Sequence, residues 1–144
     1  MKISTKGRYA LRFMVDLGIN KDQFVALKDT AARQGVSKKY LEQIVPMLTH
    51  SGMLVTNRGY QGGYKLVREP EQYTVGEILR VTEGSMAPVA CLEHDPISCD
   101  RASRCPTLEL WRGLQKVVND YLDSVTLQDL IDKYYKLGVD EYYI

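Results

Sequence analysis

A chain of 144 residues, 44% of them apolar, suits one compact domain or a small domain plus an oligomerisation element. No apolar run approaches the ~20 residues of a membrane span, the opening Met1-Lys2-Ile3-Ser4-Thr5-Lys6 has no signal-peptide core, and three cysteines fit poorly with a secreted disulfide framework, so a cytoplasmic protein is expected. The net charge of +1 hides a division: residues 1–68 hold 12 Lys and Arg against 4 Asp and Glu, a balance of +8, whereas residues 69–144 hold 7 against 14, a balance of −7. A basic half supplies phosphate contacts and an acidic half is repelled from nucleic acid, so near-neutrality does not exclude a nucleic-acid partner.

Ser4 or Thr5 is placed to cap a first helix, and Tyr9, Ala10, Phe13, Met14 and Leu17 carry its apolar spacing to about residue 20. Lys6, Arg8 and Arg12 lie near its start, either as a solvated basic face or, with the helix amides, as a phosphate grip. Asn20 to Gln23 read as a turn, and Phe24 to Leu27 as a short strand or extended lead-in. A short helix over about 28–34 stops at Gly35, which accepts the left-handed backbone of a sharp corner. Ser37 suits the N-cap of the next helix, and small Ala31 and Ala32 allow close packing of the pair. This is helix-turn-helix grammar.

The second helix of the pair keeps Leu41, Ile44, Val45 and Leu48 for a core. Its other face shows Ser37, Lys38, Lys39, Glu42 and Gln43, donors and acceptors suited to a major groove. A solvated amphipathic helix is the plain alternative, and the hairpin that follows favours DNA. Pro46 predicts a kink or a new helical turn near Val45–Pro46. Residues 53–58 and 64–68 read as strands around Gly59-Tyr60-Gln61-Gly62-Gly63, a β-hairpin wing. Three glycines relax its tip, and Arg58, Tyr60, Gln61 and Lys65 reach a minor groove or phosphates. No GxGxxG stands between a strand and a helix, and no Gly-Lys-Ser/Thr is present, so this is not a nucleotide loop.

After a connector at Glu69 to Gln72, Thr74 and Glu77 form a capping box for a helix ending near Gly84. Ser85 to Ala90 are extended. Residues 91–105 hold Cys91, Cys99 and Cys105 in a loop of the length usually kept for function. Pro106 suits the first turn of a helix running to about Ser124. Trp111, Leu114, Val118, Tyr121 and Val125 repeat at 3-4-3-4 spacing, widened by Leu110, Val117 and Leu122, as a dimer helix or an ordinary core helix would show. Thr126 caps a last helix from Leu127 to about Leu137, followed by a tail from Gly138 to Ile144. The expected fold is mainly α with a small β-hairpin. Residues 1–84 form a winged helix-turn-helix domain, 85–105 a cysteine loop, and 106–144 a dimerisation helix, final helix and tail.

Met1 to Ala10, Tyr40-Leu41-Glu42-Gln43, Arg58 to Tyr64, Thr74 to Ile78, Trp111 and Ser124 to Leu127 carry a resemblance almost end to end. The chain resembles the IscR/CymR/NsrR group of bacterial winged-helix regulators. The resemblance implies a homodimeric DNA-binding transcriptional regulator, read as a repressor, on a partly palindromic operator. Lys38, Lys39, Glu42 and Gln43 take the recognition-helix positions, Arg58 to Gly63 the minor-groove wing, and Lys6 and Tyr9 positions associated with the DNA backbone. Two-fold symmetry sets the two readers about one DNA turn, ~34 Å, apart.

Cys91, Cys99 and Cys105 fall where iron–sulfur members keep three cluster ligands, and soft thiolates suit iron. The first spacing is C-x7-C rather than C-x5-C, and Leu108 and Arg8 stand where two branches keep a fourth ligand. That ligand is unidentified: His94 is nearest, then Glu93, Asp95, Asp100 and Glu109, with the partner subunit or a small molecule as further sources. Zinc, a thiol switch and no site at all stay open. The sensed signal is thus iron–sulfur, redox or cysteine status. The Tyr-Ile ending resembles the CymR branch and implies an alternative: a sulfur-metabolism repressor without a cluster, controlled by cysteine synthase docking on the Ile144 carboxylate behind Tyr142 and Tyr143. No enzyme is expected, with two histidines, His50 and His94, and no HExxH or GxSxG.

Overall fold

In the computed structural model, which describes residues 1–142, the first helix is started by a side chain. Ser4 lies in extended backbone and its hydroxyl oxygen accepts from the Gly7 amide at 3.3 Å, so α1 spans Thr5–Ile19 and Ser4, not Thr5, is the cap. Ala10, Phe13, Met14 and Leu17 are buried, as their spacing predicts. Helix α2, Leu27–Gln34, stops at Gly35 with φ 63°, and the Val36 amide turns back to the Ala31 carbonyl at 3.0 Å. Helix α3, Lys38–His50, is capped by the Ser37 hydroxyl, which accepts from the Tyr40 amide at 3.3 Å. Ala31 is buried in the helix pair, whereas Ala32 is exposed and adds nothing to its packing.

Helix α3 runs unbroken through Pro46, so no new helical turn begins there. Pro46 and Glu42 both lie on the exposed side, where the carbonyl left without a donor can meet water. Leu48, beyond the proline, remains buried and holds the last turn to the core. Strands β1, Leu54–Asn57, and β2, Gly63–Leu66, pair antiparallel with Leu54 opposite Leu66 and Asn57 opposite Gly63. Val25 joins them through two bonds with Tyr64, each 2.9 Å, so the segment before α2 contributes one bridge rather than a strand.

Helix α4, Val75–Glu83, opens on the expected capping box: Thr74 Oγ1 accepts from the Glu77 amide at 3.0 Å and the Glu77 carboxylate accepts from the Thr74 amide at 3.5 Å. Helix α5, Leu108–Ser124, starts after Thr107, so Pro106 precedes the helix instead of lying in its first turn. Helix α6, Leu127–Tyr142, opens on a reciprocal Thr126–Asp129 cap at 2.9 and 3.1 Å. It continues past Leu137 through Gly138. An interior glycine costs a helix only about 1 kcal/mol, too little to end one otherwise well formed. Tyr143 and Ile144, the end of the expected docking tail, lie outside the described residues.

One core joins these elements. Phe13, Met14 and Leu17 of α1 meet Leu41, Ile44 and Leu48 of α3, Leu54 and Leu66 of the hairpin, Ile78 of α4, and Leu127 and Ile131 of α6. The mainly helical fold with a small hairpin is therefore as expected. Among the described residues no helix is long and apolar enough to cross a membrane.

Candidate nucleic-acid interface

Helix α3 divides its residues cleanly. Leu41, Ile44, Val45 and Leu48 are buried, while Ser37, Lys38, Lys39, Glu42 and Gln43 are exposed together. Lys38 and Glu42 form an i,i+4 pair at 3.8 Å, both more than half exposed. Such a pair contributes a few tenths of a kcal/mol at most, so it does not withhold Lys38 from a phosphate.

The half-buried Tyr40 of α3 turns back onto Tyr9 of α1, edge to face at 5.4 Å and 82°. Tyr9 therefore braces α3 as well as lying near its surface. Arg12 is committed beside it. Its guanidinium lies 5.5 Å from the Tyr9 ring centre, and it donates to Gln34 Oε1 at 3.3 Å and to the Gln34 carbonyl. There a cation meets the negative end of α2. Lys6 is half-buried on the first turn of α1, and Arg8 donates to Thr5 Oγ1 at 2.9 Å.

At the wing, Tyr60 is 96% exposed and Arg58 and Gln61 are exposed with it. Lys65 is not at the tip: it is half-buried, with Nζ 5.6 Å over the Phe24 ring. The glycines serve closeness more than looseness. A Cβ at Gly62 would overlap the Asn57 carbonyl, and one at Gly63 would overlap the Val25 carbonyl. Among the described residues, the one left-handed residue other than glycine is Gln61, at φ 62°.

Two anchors were not read from the sequence. Asp16 sits buried on α1 and accepts from Thr30 Oγ1 at 2.6 Å, Arg33 Nε at 2.9 Å and Arg33 Nη2 at 2.8 Å. Burial pushes its carboxyl up, but the bonds from Arg33 and Thr30 and the Arg33 charge outweigh that, leaving the pKa below the ordinary carboxylate value. The cluster clamps α1 to α2. Its only signal is an acid within the apolar run Phe13 to Leu17. The second anchor is Tyr73, wholly buried. Its hydroxyl donates to the Met53 carbonyl at 2.7 Å and accepts from the Val67 and Arg68 amides at 3.0 and 3.1 Å, gathering both ends of the hairpin. Arg68 covers its ring at 4.2 Å and pairs with Glu77 at 2.9 Å.

Cys91 and Cys99 are exposed and Cys105 half-buried, all as free thiols, in a loop with short 3-10 turns at Ala90–Leu92 and Ala102–Arg104. Among the described residues no group of three or more His, Cys, Asp or Glu side chains could hold a metal ion. In this arrangement the loop therefore does not fit an iron–sulfur cluster or zinc. His94 lines an open cleft of about 690 Å³ with Asp95, Leu108 and Arg112. The Cys105 thiol is pulled below the ordinary value by its bond with the Thr107 hydroxyl, at 3.4 Å, and by the Thr107 and Leu108 backbone, with Arg101 adding to the effect.

Helix α5 packs on α4 through Arg80, whose guanidinium makes two 2.8 Å bonds to Asp123 and one of 3.3 Å to Asn119. Only Leu108 of α5 is buried. Leu114 is 39%, Tyr121 67% and Val117 68% exposed, with Trp111, Val118 and Val125 half-covered, so the apolar stripe lies largely open.

A model of the Rrf2 family, described as an iron-dependent transcriptional regulator, matches residues 3–133. The HTH-type transcriptional regulator CymR of Bacillus subtilis is 41% identical over 145 residues, covering 100% of this chain and 98% of that protein. The solved structure of CymR, the global cysteine regulator of B. subtilis, superposes with a TM-score of 0.76 at 40% identity, covering 92% of this chain and 98% of that one. That of T. potens IscR has a TM-score of 0.74 at 36% identity, covering 93% and 88%.

Proposed function

The chain belongs to the Rrf2 family of transcriptional regulators, which are not enzymes, and from that premise we propose that it is a cytoplasmic, homodimeric repressor that reads operator DNA with α3 and the wing. Residues 1–84 are the reader, 85–105 the sensing loop and 106–144 the pairing part. The observation that carries the reading is the exposed polar face of α3, Ser37, Lys38, Lys39, Glu42 and Gln43, set against a fully buried apolar face. Gln43 and Lys39 have the chemistry to read base edges, and Lys6, Lys38 and Arg58 to grip phosphates. The open stripe of α5, Trp111, Leu114, Val118, Tyr121 and Val125, suits a second copy of itself.

Fluorescence anisotropy on duplexes recovered by selection tests the reading. Affinity falls steeply with salt, Gln43→Ala relaxes one base preference by about 1–3 kcal/mol, and Lys38→Ala weakens all sequences alike. Binding that is absent, or indifferent to salt, overturns the proposal.

Three free thiols in the one long loop joining α4 to α5 support that loop as the sensor of iron–sulfur, redox or cysteine status. The family's iron-dependent description favours a cluster, and holding one requires Cys91, Cys99 and Cys105 to be drawn together from their present places. Anaerobic incubation with iron and sulfide, followed by visible absorption, decides the matter: a colourless, iron-free product removes the cluster. A second reading is favoured by the full-length similarity to CymR. In it the carboxy-terminal Tyr143–Ile144 docks into cysteine synthase, and unchanged affinity for that enzyme after deleting the two residues rejects it.

A further inference from the structure

Two helical glycines stand where any side chain would strike a polar group from another element. A Cβ at Gly7, in the first turn of α1, would overlap Glu83 Oε1, and one at Gly76, in the first turn of α4, would overlap Asp123 Oδ1. Glycine weakens a helix, yet here each one clears the way for a link. In the first link Glu83 Oε1 accepts from the Ser4 amide at 3.1 Å and from the Ser4 hydroxyl at 2.7 Å, while that same hydroxyl oxygen caps α1 through the Gly7 amide. In the second, Arg80 holds Asp123 of α5. Both links leave α4 within its last turn, so this helix ties the start of α1 to α5.

We infer that Glu83 is a positioning residue for DNA binding: its carboxylate fixes the start of α1 so that Lys6 is presented to the phosphate backbone. The inference rests on the proposed reading of α1 as a backbone contact. It makes an expectation that charge alone would reverse. A carboxylate beside a DNA-facing helix start repels phosphate, so if charge were its only effect, removing it would tighten binding. If geometry dominates, loss of reach must weaken binding even when the charge is kept.

Two variants separate these effects. Glu83→Gln keeps the reach and removes the charge, whereas Glu83→Asp keeps the charge and shortens the reach by one methylene. Operator affinity is measured by anisotropy across a salt series, with a thermal melt of each variant. Glu83→Asp is expected to bind about threefold to tenfold more weakly and to flatten the dependence of log affinity on log salt by about one phosphate contact. Glu83→Gln should stay within about twofold of the parent. Tighter binding by Glu83→Gln with a parent-like Glu83→Asp, or two parent-like variants, overturns the inference. Should Glu83→Asp not fold, Ser4→Gly removes the hydroxyl that donates to Glu83, at a cap position that tolerates glycine; the same loss is expected, and parent-like binding refutes it. Base preference that Gln43→Ala relaxes keeps the functional reading standing whichever way the Glu83 variants fall, and a parent that binds no duplex ends both.

Discussion

Tyr73→Phe isolates a single oxygen at the foot of the wing. Phenylalanine keeps the ring packing, but three backbone groups lose their partner: the Met53 carbonyl and the Val67 and Arg68 amides. Val67 retains a weak 3.4 Å bond to Met53, so those two groups are only partly stranded, while Arg68 loses its bond outright. An unsatisfied buried polar group costs about 1–3 kcal/mol, which puts the whole loss at about 2–4 kcal/mol. That is a large share of the roughly 5–15 kcal/mol that holds a domain together. The melting temperature should fall by about 6–16 °C, taking ~3–4 °C per kcal/mol for a chain of this size. Calorimetry at matched protomer concentration is the assay, because a dimer's melting point moves with concentration. The wing should loosen before the reader unfolds, so affinity at 25 °C falls while the base preference set by Gln43 persists. A loss below about 1 kcal/mol would refute the argument that this hydroxyl organises the wing.

Asp16 carries a pH signature. Its folded pKa lies below the ordinary value, so the stabilisation is complete above the unfolded value and is lost as pH falls through the folded one, below pH ~4. Asp16→Asn should cost about 1–3 kcal/mol near neutrality, discounted because Arg33 is nearly half exposed, and should match the parent in strong acid; denaturant melts at the two pH values check this. Gly7→Ala should displace the flexible Glu83 side chain rather than the backbone, leaving stability within about 1 kcal/mol while operator affinity drops as for Glu83→Asp. Leu114→Asp should convert a dimer to a monomer in sedimentation without lowering secondary structure, since Leu114 is 39% exposed within its own chain; a parent that already sediments as a monomer defeats the pairing role given to α5.

The features legible in the sequence are those whose cause is local. Gly35 and Ser37 mark the helix corner because a left-handed residue and a hydroxyl cap act within a few positions. Thr74 and Glu77 announce α4 for the same reason. What escaped is long-range. Asp16 and Arg33 are 17 residues apart and Tyr73 and Met53 are 20 apart, and neither pair leaves a periodic trace. No new helical turn starts at Pro46, because the local penalty of proline is real but smaller than the burial that keeps Leu48 on the core side. The cysteine spacing announces a donor type but not a conformation, and the loop places its three thiols without making a metal group among the described residues.

The charge division also changes meaning once partners are known. Arg33 is held by Asp16, Arg68 by Glu77, Arg12 by the end of α2 and Lys21 by Glu69, so a good part of the basic excess builds the fold rather than the interface. Across the molecule Glu77, Glu83 and Asp123 act as staples for groups on other elements. Among the described residues, Lys6, Lys39 and Arg58 enter no ion pair and Lys38 only a loose one. These four are among the cations that the sequence offers to DNA. Arg12, Arg33 and Arg68 are occupied in holding α1, α2 and the hairpin, where the free cations can be used. A salt slope should therefore report a few phosphate contacts per protomer, not the full basic count of the amino-terminal half.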